Sequence, residues 1–129
     1  MPAHRNVLIA IIDDDDSFRA AMEGLIRSLG YKAAGYSSAE VFLDTHSDRG
    51  VDCVVSDIQM PGMTGIEMKQ QLNKIGSAVP VIFVTAHTDA GLKQRVADCG
   101  GLLLLRKPFD AQVLIDGVGL ALGHAPPAV

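Results

Sequence analysis

At 129 residues, with 48% of them apolar, the chain is sized for one domain that can build a full hydrophobic core. Fifteen acidic against eleven basic residues leave a formal charge of -4, which argues against nucleic acid as a direct partner, because phosphate binding needs a basic face. Cys53 and Cys99 lie far apart, in apolar surroundings and outside metal-ligand spacing, so they read as small core residues in a reducing cytoplasm. The opening residues are short and polar, unlike a signal peptide, and no apolar stretch is long enough to span a membrane.

Residues 7–12 form a continuous apolar run rich in branched side chains, which predicts a strand buried on both faces. The run stops at Asp13-Asp14-Asp15-Asp16. A helix follows, with Phe18, Met22, Leu25, Ile26 and Leu29 on one stripe, and Gly30 ends it. Asp15 and Asp16 read as acids at that helix's N-terminus, where the helix dipole favours them. A calcium loop is rejected, because the required glycine is missing and a buried strand precedes the acids.

Residues 31–36 are a weaker second strand. Ser37 and Glu40 form a capping-box pattern before a short helix through Val41, Phe42 and Leu43. A polar loop covers residues 45–50, and residues 51–56 form a third strand that delivers Asp57. Pro61-Gly62-Met63 is a turn, with Met60 and Met63 packing locally beside it. Thr64 and Glu67 repeat the capping box and open a helix carrying Ile66, Leu72 and Ile75.

Residues 79–85 are the fourth strand, entered from a proline. His87-Thr88-Asp89 opens a helix that runs to Cys99 and is closed by Gly100-Gly101. Residues 102–105 are the fifth strand, stopped before Pro108. Asp110 caps a last helix over residues 111–122, in which Gly117 and Gly119 each cost about 1 kcal/mol against alanine and predict fraying. The domain is expected to end at residue 123, with an Ala/Pro tail or the start of a linker at 124–129.

Five strand–helix units with near-continuous apolar strands predict an α/β fold, a parallel sheet with helices on both faces. In such a sheet ligands bind beyond the carboxyl ends of the strands, where the strand order reverses. There the chain collects Asp13 and Asp14 from strand one, Asp57 from strand three, Thr85 from strand four and Lys107 from strand five. Two carboxylates about 4 Å apart repel by roughly 4 kcal/mol at an effective dielectric near 20. Protons or a cation must neutralise them, and hard oxygen ligands on an open site suit Mg²⁺. A cation, an ammonium and a hydroxyl around one carboxylate make a cage for a second anion. The candidate is a phosphoryl group on Asp57, since aspartate can attack phosphorus to give an acyl phosphate.

These residues carry a resemblance that runs from about residue 6 to residue 122. The acid pair ends strand one. Ser56-Asp57-Ile58-Gln59-Met60-Pro61-Gly62-Met63-Thr64-Gly65, Val84-Thr85-Ala86-His87 and Arg106-Lys107-Pro108-Phe109 follow. Together they resemble the receiver domain of two-component response regulators, in particular the FixJ-like branch, whose members often carry a helix-turn-helix output domain.

The resemblance implies a flavodoxin-like, doubly wound five-stranded sheet with strand order 2-1-3-4-5. It implies that Asp57 accepts a phosphoryl group from a sensor histidine kinase or phosphotransfer protein. Asp13 and Asp14 would hold Mg²⁺, Asp14 directly, together with Asp57 and the Gln59 backbone carbonyl. Thr85, the Ala86 amide, Lys107 and Gln59 would bind phosphoryl oxygens, and the Lys107–Pro108 bond would be cis. Gln59 and His87 would tune the acyl phosphate lifetime. The partners implied are the kinase and either a homodimer mate or a DNA-binding effector domain.

The chain departs from the family where a switch aromatic stands three residues before the lysine: Leu104 occupies that place. Residues 92–101 also lack the customary small-residue pattern. Leu104 leaves room for a degenerate receiver that acts as a phosphorylation-independent interaction module. An aspartate-nucleophile phosphatase would carry a second acid two residues after the nucleophile, where this chain has Gln59. His4, His46 and His124 are scattered and receive no role.

Overall fold

The computed structural model describes residues 6–45, 50–87 and 89–123. Five strands alternate with five helices: β1 (Leu8–Ile12), α1 (Asp16–Ser28), β2 (Lys32–Tyr36), α2 (Ala39–Thr45), β3 (Cys53–Asp57), α3 (Gly65–Lys74), β4 (Val81–Thr85), α4 (Leu92–Asp98), β5 (Leu103–Arg106) and α5 (Ala111–Ala121). The strands form one sheet in the order β2-β1-β3-β4-β5, every neighbouring pair parallel. The predicted doubly wound architecture and strand order are both present.

The strand alternation splits the core in two. Ala10, Ile12, Val54, Phe83 and Val81 face a layer built from α2, α3 and α4 through Phe42, Met68, Leu72, Leu92 and Val96. Ile9, Ile11, Val55, Ile82 and Val84 face α1 and α5 through Ile26, Leu114 and Val118. Both faces of the central strands are therefore dry, which is why they read as unbroken apolar runs. Cys53 and Cys99 are unpaired and buried in these layers, and burial pushes the Cys53 thiol up to about 12, so it stays protonated. Among the described residues no helix is long and apolar enough to cross a membrane.

Several local expectations shift. Val51 and Val79 are buried but lie ahead of their strands, while β3 runs one residue further, to include Asp57. β5 likewise moves one residue on, ending at Arg106. The cap of α2 is Ser38, not Ser37: its Oγ accepts from the Val41 N–H at 3.1 Å. Glu40 does not close a box; it reaches across to accept from the Met63 N–H at 3.0 Å. The Thr64–Glu67 box is present in both directions. Ile75 is the C-cap of α3 and 59% exposed, so it does not share the core stripe with Leu72. Met60 is a buried member of the core, whereas Met63 packs at its edge.

The fourth helix starts at Leu92 rather than at His87. Gly91, with φ of 84°, is its N-cap, and the left-handed turn there ends any helix that His87 could have opened. Asp110 is the N-cap of α5 but makes no side-chain cap hydrogen bond. In α5 Gly117 has a packing reason: a Cβ there would stand 2.9 Å from Leu103 Cδ1. A larger residue there would require the end of the Leu103 side chain to shift. The proposed loop residues 46–49 and the tail at 124–129 lie outside the described residues.

Candidate functional site

Parallel register sets the strand ends level. Ile12 pairs with Ser56, Asp57 with Val84 and Thr85 with Arg106. The residues just beyond β1 and β5 are then Asp13 and Lys107, at the same edge as Asp57 and Thr85. Because β1 and β3 are sheet neighbours while their following helices pass to opposite faces, the crevice opens between Asp13 and Asp57.

Asp13 is 1% exposed and Asp57 9%, whereas Asp14 is exposed. One carboxylate oxygen from each of the three falls within 4.8 Å of the others. Asp13 Oδ1 accepts from the Asp15 N–H at 2.9 Å, which closes the turn into α1. Asp13 Oδ2 lies 3.1 Å from Lys107 Nζ, and Asp57 Oδ2 lies 3.7 Å from the same ammonium. Burial raises the Asp57 carboxyl above the usual range, and Asp13 and then Asp14 add to that. Lys107 and the Ile58 amide pull the other way without cancelling it. The donor set fits a hard divalent cation: three carboxylates, one of them open to solvent, with no soft ligand among them.

The backbone after Asp57 folds tightly over the strand end. Ile58 donates to the Val84 carbonyl, and Gly65 donates to the Ile58 carbonyl at 3.0 Å. A Cβ on Gly65 would collide with the Asp57 carbonyl oxygen, so only glycine lets α3 start this close.

A second group lies around Thr85, whose side chain is buried. Its Oγ1 accepts from the His87 N–H at 3.1 Å, and its single proton is within reach of Gln59 Oε1 at 2.9 Å and the His87 carbonyl at 3.0 Å. Ala86 and the His87 residue are exposed at the start of the β4–α4 loop. The predicted residues thus form two groups: Asp13, Asp14, Asp57 and Lys107 on one side, Thr85, Gln59 and His87 on the other. Leu104 joins neither. It pairs with Phe83 and packs half-buried on the α4 side of the sheet. The Lys107–Pro108 bond is cis. Asp15 caps α1 by accepting from the Phe18 N–H, and Asp16 sits in its first turn, as helix-terminal acids do.

Three residues next to the site carry no site role in the sequence reading. Arg19 donates to the Asp13 carbonyl at 2.8 Å and pairs with Asp16. The Phe18 ring lies under Lys107, with Nζ 3.9 Å from its centroid. Phe109 meets Phe18 in a T-shaped contact with centroids 6.2 Å apart. Phe18 carries the same helical spacing as its core neighbours, so periodicity alone marks it as core.

The family of response regulator receiver domains matches residues 9–118. The response regulator protein TodT of Pseudomonas putida is 33% identical over 122 residues, covering 95% of this chain and 54% of TodT. The transcriptional regulatory protein FixJ of Azorhizobium caulinodans is 35% identical over 117 residues, covering 91% of this chain and 56% of FixJ. The chain spans about half the length of these relatives. Among solved structures, a response regulator receiver protein from Burkholderia phymatum superposes with a TM-score of 0.81 at 42% identity, covering 95% of this chain and 99% of that one. The crystal structure of FixJ-N gives 0.82 at 27%, covering 95% and 98%. The match, the strand order and the acid crevice agree, and the chain belongs to the response regulator receiver domains of two-component signalling.

Proposed function

We propose that this receiver is a phosphorylation switch in which Asp57 accepts a phosphoryl group from a sensor histidine kinase or a phosphotransfer protein. The observation that carries the reading is a nearly buried carboxylate with two more acids within 4.8 Å and a lysine 3.7 Å away. An Asp57 Oδ attacks the phosphorus of a phosphohistidine. The P–N bond breaks, the imidazole leaves with the electron pair and takes up a proton, and an acyl phosphate remains. Asp13, Asp14, Asp57 and the Gln59 backbone carbonyl would hold Mg²⁺. Bound there, Mg²⁺ supplies the positive charge that offsets charge on the transferred oxygens.

Lys107 offsets the same charge from the β5 side. Thr85 and the Ala86 amide take another phosphoryl oxygen, and Thr85 must first give up its bond to Gln59 or to the His87 carbonyl. That exchange is the first movement of the switch. Leu104 stands where an aromatic would follow it, so the signal leaves by repacking of an aliphatic side chain. The chain catalyses only its own phosphorylation and hydrolysis, in the cytoplasm, where buried free thiols persist. Its output is a homodimer or a DNA-binding effector domain; the name of the longer transcriptional regulatory protein FixJ supports the second.

Incubation with Mg²⁺ and acetyl phosphate should add one phosphoryl group to the intact mass of the wild type. Asp57→Asn and an EDTA control should gain none. No adduct together with no Mg²⁺ binding would replace the switch with the reading that Leu104 favours, an interaction module indifferent to phosphorylation. The second expected result concerns lifetime. His87 presents an exposed side chain beside the backbone that holds Thr85. His87→Ala should change the decay rate of the phosphorylated form severalfold, read as loss of the adduct after the donor is removed; an unchanged rate removes His87 from the site.

A further inference from the structure

Lys107 is held by more than its carboxylates. The contacts around it close a ring through the start of α1. Asp13 Oδ1 accepts from the Asp15 N–H, and Asp15 Oδ1 accepts from the Phe18 N–H at 3.0 Å. The Phe18 ring lies 3.9 Å from Lys107 Nζ, and Nζ returns to Asp13 Oδ2 at 3.1 Å. Phe109, two residues beyond Lys107, packs against the same ring and fixes its tilt at 84° between planes.

We infer that Phe18 is a positioning residue for phosphoryl transfer, acting through the ammonium of Lys107; this rests on Asp57 being the phosphoacceptor. The argument is electrostatic. Lys107 is drawn to Asp13 and Asp57. A cation among those carboxylates would neutralise the same oxygens and repel the ammonium. The face of an aromatic ring attracts an ammonium and does not compete for the metal. It also bars water from one side of the ammonium, so the remaining N–H donors point toward the crevice. Phe18 thereby keeps Lys107 at the phosphoryl position when its carboxylate contacts weaken. The flexible lysine stem alone would let the ammonium swing out to solvent.

Two substitutions separate charge from bulk. Phe18→Tyr keeps the aromatic face, and Phe18→Leu keeps apolar packing without it. In the wild type the Lys107 ε-methylene protons should resonate upfield of an exposed lysine, shifted by the ring, with and without saturating Mg²⁺. Phe18→Leu should abolish that shift and slow phosphorylation by acetyl phosphate about five- to tenfold at saturating Mg²⁺. Phe18→Tyr should keep the shift and a rate within about twofold. Calorimetric Mg²⁺ affinity should stay within about twofold in both variants.

A wild-type rate in Phe18→Leu would overturn the inference. So would equal slowing in both variants with weakened Mg²⁺ binding and a common drop in melting temperature, which would mean that the ring only supports the fold. An ordinary lysine shift in the Mg²⁺-loaded wild type would overturn it too. A wild type that takes no phosphoryl group is a different outcome. It refutes the phosphoacceptor reading, and the positioning role falls with it.

Discussion

Asp57→Asn should raise the melting temperature of the metal-free domain at pH 7 by about 5 °C, the shift expected from a gain of roughly 1–2 kcal/mol in a domain of this size. Ionised Asp57 is a liability to the fold. It is nearly buried, it faces Asp13 and Asp14, and its carboxyl is held above the usual range for those reasons in that order. A carboxyl raised in the folded state contributes stability below the unfolded value of about 3.9, and that contribution is lost as pH climbs through the folded value. Asparagine keeps the shape and never ionises.

The two proteins should therefore melt together near pH 3.5 and separate as pH rises, with the gap levelling once Asp57 is ionised in the fold. Thermal melts in EDTA across pH 3.5–8 read this directly, since the two proteins differ at Asp57 alone. If the acids hold Mg²⁺ as proposed, the cation should then stabilise the wild type more than the variant, because Asp57→Asn would remove one of its ligands. Coincident melting at all pH values would mean that Lys107 already cancels the burial and repulsion.

Lys107→Met should act in the opposite direction and have the larger effect of the two. Asp13 is 1% exposed, and among the described residues its ion pair comes from Lys107. Methionine fills much of the stem's volume but leaves a buried carboxylate with one backbone N–H donor. Breaking a buried pair from one side costs about 3–5 kcal/mol. The Lys107 side chain is 19% exposed, so a cost at or below the lower end, about 2–3 kcal/mol, is expected. That is a fall of roughly 10 °C in EDTA.

Millimolar Mg²⁺ should recover most of the loss, because a cation at the acids replaces the missing charge. The double variant Asp57→Asn, Lys107→Met should be more stable than Lys107→Met alone, since one of the uncompensated acids is gone; the two effects share Asp13 and will not add independently. With Asp57 intact, Lys107→Met should also slow the proposed phosphoryl uptake by about 10²–10³, the usual loss when one charge-stabilising donor is removed. Full uptake at wild-type rate would take Lys107 out of the reaction.

Some of this was legible in the chain because it is a matter of local order. Apolar runs of the right length, each followed by a polar break and a helical stripe, are enough to specify strand–helix alternation. In a parallel sheet that alternation brings every strand's carboxyl end to one edge. Asp13, Asp14, Asp57, Thr85 and Lys107 are each the residue at or just past such an end, so their convergence follows from connectivity. Where two neighbouring residues compete for one role, the reading slipped by a position. Ser38 won the cap from Ser37 because its Oγ meets the Val41 amide, and Glu40 was drawn off to the Met63 amide. His87 seemed to open a helix until Gly91, with its left-handed backbone, placed the start at Leu92.

The sequence by itself determined the order of elements, the dry sheet and the set of acids, lysine and threonine at its edge, because periodicity and strand ends are properties of neighbours along the chain. Only the tertiary structure decided that Thr85 is engaged by Gln59 and His87, that Leu104 belongs to the α4 layer, and that Phe18 and Arg19 of α1 hold Lys107 and Asp13. Those are contacts between residues as distant in the chain as Phe18 and Lys107, or between side chains whose spacing looks like any helix face. Packing alone brings such groups to within 3 or 4 Å, and at that range charge and hydrogen bonding are strong enough to give them a role.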